Sequence, residues 1–138
     1  MADWLYRLAA GEDRRWRRRW AVLACLAALV IAWGSLTPGS ELPETLPWDK
    51  ASHFIGYAGL AGLLGLAGVR LSLAFLAALL LGIAIEFAQV AVAGRSGGDW
   101  ADILANGLGA ASAALGLHAF RRACLRRSPR QERKAPSR

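Results

Sequence analysis

The chain has 138 residues, and 55% of them are hydrophobic, which is a high share for a water-soluble domain. Its formal net charge is +7, from 17 Lys and Arg residues against 10 Asp and Glu residues. The length fits a single domain, and the apolar content favours a membrane protein over a soluble one.

The basic residues lie mostly at the two ends of the chain. Six of them precede the first apolar run and eight follow the last one, so 14 of the 17 are terminal. Charge in these positions orients membrane spans and attracts lipid headgroups. No basic face with interleaved aromatic residues and no recognition motif accompanies the arginines, so we expect no nucleic-acid partner.

Four apolar runs follow one another, at residues 20–36, 51–69, 71–93 and 107–120. We predict that each forms a membrane-spanning helix. The first run has 17 residues, close to the minimum for a hydrocarbon core of about 30 Å. A cleaved signal peptide is the alternative for this run, but Trp33-Gly34-Ser35 is a poor cleavage site.

Small residues recur along the second and third runs. Glycine occupies every third position from Gly56 to Gly68, and Ala74, Ala78 and Gly82 form a stripe at four-residue spacing. In lipid, small residues let neighbouring helices approach closely. We therefore predict that the second, third and fourth helices form a close core and that the first is peripheral.

The positive charges also predict the topology. The N-terminal segment, the turn at Arg70 and the C-terminal tail hold 15 basic residues, whereas the other two loops hold only Lys50 and Arg95. Positive residues concentrate on the cytoplasmic side of a membrane. We predict an all-α bundle of four spans with both termini cytoplasmic: a basic segment at 1–19, a membrane domain at 20–120 and a basic, disordered cytoplasmic tail at 121–138.

With this topology the second helix starts, the third ends and the fourth starts at the same outer face. The ionisable and polar residues of these runs then gather there. They fall into three motifs: Asp49-Lys50-x-x-His53-Phe54-x-x-Tyr57, then Glu86-x-x-Gln89, then Gly94-Arg95-Ser96 followed by Asp99, Asp102, Asn106 and Gly109.

These motifs together resemble the VanZ-like family of small bacterial membrane proteins. The resemblance covers residues 20–120, and the long arginine tail and the glycine ladder are not part of the family pattern. It implies a multi-pass protein of the cytoplasmic (inner) membrane in the cell envelope. The family's namesake is associated with resistance to the glycopeptide teicoplanin, so a link to such resistance is also implied.

Ionisable side chains within a membrane span are costly and therefore mark candidate functional sites. Asp49 and Asp99 have a simpler explanation, because either can cap a helix N-terminus. Glu86 and His53 lack that explanation, and we take them as the candidate catalytic residues. The candidate binding residues are Asp49, Lys50, Tyr57, Gln89, Arg95, Ser96, Asp99, Asp102 and Asn106.

Two activities fit this cluster of residues. The first is a pocket that binds or modifies a lipid headgroup or a lipid-linked cell-wall precursor. The second is a hydrolase or transferase that uses His53 as acid or base. In it, Glu86 or Asp49 orients the imidazole, and Lys50 or Arg95 holds an anionic group. A structural or interaction protein is a further alternative, and four short helices make a transporter less favoured.

We expect membrane lipids as partners and leave oligomerisation open. A metal held by His53, Asp49, Glu86 and Asp99 is a variant of the enzyme hypothesis, but a single histidine in that set disfavours zinc. We therefore expect no metal and no cofactor.

Overall fold

The computed structural model describes residues 13–41 and 49–132, without the side chains of Asp49, Leu125 and residues 127–132. These residues form four α-helices and no strand, which confirms the predicted all-α class for this part of the chain. The helices are α1 (Arg14–Leu36), α2 (Asp49–Leu66), α3 (Leu71–Gln89) and α4 (Trp100–Glu132), and a short 3-10 turn lies at Gly39–Glu41.

Three helical segments are long and apolar enough to cross a membrane: Arg14–Leu36, Leu71–Gln89 and the Trp100–Cys124 part of α4. Large apolar side chains lie exposed on the outer surfaces of these segments, as expected for helices surrounded by lipid. The most exposed include Leu29, Trp33, Leu80, Phe87 and Leu115.

The second predicted span is not among these three segments. Its helix, α2, has 18 residues, and its first turns carry Lys50, Ser52 and His53, which lower its apolar content. Three of the four predicted spans are therefore supported, and a fourth remains a proposal.

Helix α1 begins earlier than the apolar run predicts. The Asp13 carboxylate accepts a hydrogen bond from the backbone N–H of Arg15 at 2.9 Å and so caps the helix at Arg14. The arginines that follow are good helix formers and continue the helix into the apolar run. Ala24 is the buried residue of α1, so this helix is peripheral, as predicted.

Contacts between the helix ends show that the chain runs up and down. The end of α1 meets the end of α3, where Gln89 Nε2 donates to the Ser35 carbonyl at 2.8 Å. At the opposite end, Arg17 Nε donates to the Ala67 carbonyl at 3.1 Å, next to the short turn between α2 and α3. The start of α2, the end of α3 and the start of α4 therefore share one end of the bundle.

The core consists largely of small residues, which allow close helix packing. The most extensive packing is between α2 and α4. There a Cβ added to Gly109 would collide with the backbone carbonyl of Phe54, so the two helix backbones are in direct contact. The buried core residues are Ala24, Tyr57, Leu60, Ala61, Ala78 and Ala110.

Helix α4 extends beyond the predicted span. It is helical as far as Glu132, where the described part of the chain ends, whereas composition predicts disorder from Arg121 onward. The residues after Phe120 include Arg, Ala and Leu, which are strong helix formers and continue the existing helix. Residues 133–138 of the predicted tail lie outside the described part of the chain.

Candidate functional site

The buried polar side chains of the described residues lie at one end of the bundle. These are Glu86 and Gln89 of α3 and Asp102 and Asn106 of α4, each at most 5% exposed. Lys50 and His53 of α2 and Asp99, just before α4, connect to them. We call these seven residues the polar cluster.

Lys50 joins two of the carboxylates. Its Nζ lies 3.1 Å from Asp99 Oδ2 and 2.8 Å from Asp102 Oδ1. The hydrogen bonds to Asp102 and Asp99 raise the pKa of the Lys50 ammonium. The backbone N–H of Ala101 and the Lys50 ammonium hold the pKa of the Asp99 carboxyl below its usual value. Lys50 and Asp99 are therefore ionised at neutral pH.

Asp99 also caps α4, as the sequence predicts. Its Oδ1 accepts a hydrogen bond from the backbone N–H of Ala101 at 2.8 Å, in the first turn of the helix. The same residue therefore caps the helix and pairs with Lys50. The capping and site interpretations of Asp99 are compatible.

His53 is oriented by Asn106. The His53 Nδ1 lies 3.0 Å from Asn106 Oδ1, and because an amide oxygen only accepts, Nδ1 carries the hydrogen and donates it. The lone pair is then on Nε2, which lies 3.9 Å from Asp102 Oδ2. The His53 side chain is 9% exposed, so this geometry is shielded from solvent.

Glu86 is fully buried within one of the candidate spans. Its Oε2 accepts a hydrogen bond from the backbone N–H of Asp99 at 3.2 Å. Its Oε1 has no hydrogen-bond partner among the described residues. A buried carboxylate oxygen needs a proton, a water molecule or a cation, and Glu86 Oε1 has none of these among the described residues.

A polar cavity of about 80 Å³ opens beside the cluster. A water molecule takes up roughly 30 Å³ of liquid volume, so the cavity holds only a few waters or one small polar group. Its lining residues are His53, Gln89, Gly94, Arg95, Ser96 and Asp102.

Glycines place the loop before α4 against α3. A Cβ on Gly97 would collide with the backbone at Gln89 and Val90, so this loop packs directly on the end of α3. Within α3, a Cβ on Gly82 would lie 2.8 Å from Asn106 Nδ2 and 3.1 Å from Tyr57 Cε1. Gly82 therefore makes room for two buried polar side chains.

Tyr57 lies deeper in the bundle than the other predicted site residues. It is 2% exposed, and its ring is nearly parallel to that of His53, with the ring centroids 6.5 Å apart. The Tyr57 hydroxyl and Asn106 Nδ2 are buried without a hydrogen-bond partner among the described residues. Two donors thus lie unused on the inner side of the cluster.

The structure brings most of the predicted site residues together. The side chain of Asp49 lies outside the described part, although α2 begins at this residue. Gln89 contributes to the cavity wall, but its amide nitrogen also holds the end of α1. Residues brought together by hydrogen bonds or the cavity wall are Lys50, His53, Glu86, Gln89, Arg95, Ser96, Asp99, Asp102 and Asn106.

The sequence places Gly94 in a motif and Gly82 in the small-residue stripe, but sequence reasoning did not identify these two glycines or Gly97 as site residues. Gly94 lines the cavity, and Gly82 and Gly97 make room for the surrounding groups. The signal for Gly82 was visible, because Glu86 follows the Ala74, Ala78 and Gly82 stripe at the same four-residue spacing. For Gly94 and Gly97, no spacing rule distinguishes a cavity wall from an ordinary turn.

Comparison with models of known protein families, with curated proteins and with solved structures finds no match. The resemblance to the VanZ-like family stays a prediction from the motifs.

Proposed function

We propose that the chain is a VanZ-like integral protein of the bacterial cytoplasmic membrane whose polar cluster binds a phosphate-bearing headgroup. That headgroup belongs either to a membrane lipid or to a lipid-linked cell-wall precursor. The observation that carries the proposal is the burial of four polar side chains at one end of the bundle, two of which, Gln89 and Asp102, line a small cavity. In a membrane protein such groups are costly and mark a functional site.

The size of the cavity limits the bound group. Pockets that enclose a drug-sized molecule measure roughly 300–1,000 Å³. A cavity of about 80 Å³ admits only the charged tip of a ligand, and the rest would lie outside the helix ends. The apolar outer faces of the helices could then accommodate the hydrocarbon chains of the same molecule.

Arg95 supplies the positive charge in this proposal. It is half-buried and lines the cavity beside the exposed Ser96. A guanidinium binds phosphate oxygens with two parallel hydrogen bonds, which makes it a strong phosphate ligand.

The proposed topology has four spans and both termini in the cytoplasm. Support comes from the 15 to 2 division of basic residues between the two sides. The polar cluster then faces the outer leaflet, where cell-wall precursors are used. Reporter fusions at Thr45 and at Arg130 are expected to report opposite sides, and the same side for both would contradict this topology.

The headgroup proposal is tested with a matched pair of arginine variants. Arg95→Gln is expected to weaken binding of phosphatidylglycerol or undecaprenyl phosphate about tenfold, since one charge-assisted contact contributes about 1.4 kcal/mol. Arg70→Gln is the control, because Arg70 is exposed and precedes α3 at the other end. Binding is measured by native mass spectrometry of the protein released from phosphatidylcholine nanodiscs.

Growth in teicoplanin provides a second readout, since the resemblance implies a link to glycopeptide resistance. We expect wild-type protein to raise the tolerated concentration and Arg95→Gln to lose that gain. Equal lipid binding by wild type, Arg95→Gln and Arg70→Gln would contradict the headgroup proposal.

A hydrolase or transferase acting on the same headgroup is the second candidate. The observation that favours it is the hydrogen bond from His53 Nδ1 to Asn106, which makes Nε2 the basic nitrogen. Release of inorganic phosphate from undecaprenyl phosphate by wild type, and its loss in His53→Gln, would select this candidate over simple binding.

A further inference from the structure

One candidate ligand atom from each of three helices meets in the polar cluster. One nitrogen of His53 and one carboxylate oxygen each from Glu86 and Asp102 lie within 4.8 Å of one another. We infer that these three residues hold one divalent metal ion at the inner side of the cavity. The inference rests on the proposed function in that the ion would recruit the phosphate of the headgroup.

Glu86 supplies an observation independent of this clustering. It is 0% exposed, and its Oε1 has no hydrogen-bond partner among the described residues. Because Oε2 already accepts from the Asp99 N–H, Oε1 is the oxygen left for another positively charged or donating group. A bound cation satisfies it without a proton.

Each of the three proposed ligand residues also makes a hydrogen bond to a second residue, which fixes its orientation. His53 donates from Nδ1 to Asn106, Glu86 Oε2 accepts from Asp99, and Asp102 Oδ1 accepts from Lys50. His53 Nε2 and Asp102 Oδ2 lie 3.9 Å apart, and Glu86 Oε1 has no hydrogen-bond partner among the described residues. Metal sites are typically built this way, with one atom of each ligand bound to the metal and another fixed by a second residue.

The charge of the cluster also favours a bound cation. Lys50 is shared between Asp99 and Asp102, and Glu86 has no cationic side chain within ion-pair distance among the described residues. An incoming phosphate would meet Asp102 in the cavity wall and be repelled by this carboxylate and by that of nearby Glu86. A divalent ion between them reverses this local charge and provides a direct bond to a phosphate oxygen.

The ligand set indicates the kind of ion. One imidazole nitrogen with two carboxylate oxygens suits Zn²⁺ or Mn²⁺ better than Mg²⁺ or Ca²⁺, which prefer oxygen ligands alone. Bond lengths near 2.0–2.2 Å place ligand atoms of one ion about 3–4 Å apart. The separations of up to 4.8 Å therefore close by roughly 1 Å around the ion. This inference revises the expectation of no metal drawn from the sequence.

The test measures binding of ZnCl₂ and MnCl₂ to the full chain in nanodiscs, after treatment with EDTA and removal of any histidine tag. Isothermal titration is expected to give one site per chain for wild type. His53→Gln and Glu86→Gln are expected to weaken binding at least about tenfold. The controls are His118→Gln and Glu41→Gln, which remove an exposed histidine and an exposed carboxylate elsewhere.

Folding of each variant is checked by helical circular dichroism. Should Glu86→Gln fail to fold, Asp102→Asn tests the same ligand set. The inference is overturned if wild type binds neither ion at one site per chain, or if His53→Gln binds as tightly as His118→Gln.

Lipid binding in EDTA separates this inference from the proposed function. Undecaprenyl phosphate could bind equally well in EDTA and in zinc while Arg95→Gln still weakens that binding. This result overturns the metal site and leaves the headgroup proposal standing. One zinc ion per chain without any Arg95-dependent lipid binding overturns the headgroup proposal and supports the metal site.

Discussion

The two ends of the helix bundle use charge differently. At the end opposite the polar cluster, Arg17 donates to the carbonyl of Ala67, and Arg121 donates to that of Gly65 at 2.7 Å. We call this the arginine end. Both arginines satisfy carbonyls at the C-terminus of α2, where positive charge also complements the helix dipole.

At the end that holds the polar cluster, which we call the polar end, there are more charged groups than helix capping requires. Asp99 caps α4, but Glu86 and His53 cap nothing, and Glu86 keeps one buried oxygen unsatisfied. The difference teaches that burial alone does not identify a site. Arg121 Nε also lacks a hydrogen-bond partner among the described residues, so an unsatisfied buried atom is informative only where, as at Glu86, it belongs to a cluster of other ionisable groups.

The largest effect on stability is expected from a substitution that forces α2 and α4 apart near the polar end. In Gly109→Ala, the new methyl group meets the backbone carbonyl of Phe54, which cannot move aside as a side chain could. We expect a loss of about 3 kcal/mol in the free energy of unfolding. Chemical denaturation in detergent, followed by helical circular dichroism, measures it.

Gly116→Ala is the matched control in the same helix. A Cβ at Gly116 has no neighbouring atom within 4 Å, so this change should leave stability unchanged or raise it slightly. Equal effects of the two substitutions would show that the close approach of α2 and α4 does not hold the polar end together.

Much of this arrangement follows from patterns in the sequence. Apolar runs and the four-residue spacing of Asp102 and Asn106 predict the helices and one shared polar face. The charge distribution predicts which helix ends meet. The bond between His53 and Asn106 could not be predicted, because it depends on the rotation of α2 about its axis against α4.

Two further features depend on tertiary contacts that the spacing of residues along the sequence does not reveal. Gly109 belongs to a general glycine-rich pattern, and only the structure distinguishes it from Gly116, which has open space around it. The unsatisfied oxygen of Glu86 depends on which neighbour takes Oε2, and that neighbour is a backbone N–H at Asp99.

The second prediction concerns Glu86 Oε1, the buried oxygen without a hydrogen-bond partner among the described residues. In metal-free protein, Glu86→Gln replaces a buried ionisable carboxyl group with an uncharged amide and keeps an acceptor for the Asp99 N–H. We expect the variant to be more stable than wild type by about 1 kcal/mol in EDTA. Thermal unfolding in detergent measures the difference, with Glu41→Gln as the exposed control. A loss of more than about 1 kcal/mol would mean that other groups in the chain already satisfy Glu86, and the cluster would then be a scaffold.

The smallest effect is expected at the arginine end, where charge has a capping role. Arg121→Ala removes the donor to the Gly65 carbonyl, which leaves one C-terminal carbonyl of α2 without that partner. Because Arg121 is half-buried and solvent can partly replace it, we expect a loss of about 0.5 kcal/mol, with lipid and zinc binding unchanged. Arg122→Ala is the control, since Arg122 is an exposed neighbour on the same helix. Thermal unfolding and zinc titration of both variants measure these effects. If Arg121→Ala instead weakened zinc binding as much as Glu86→Gln, the two ends of the bundle would be coupled, and the division between a capping end and a binding end would be wrong.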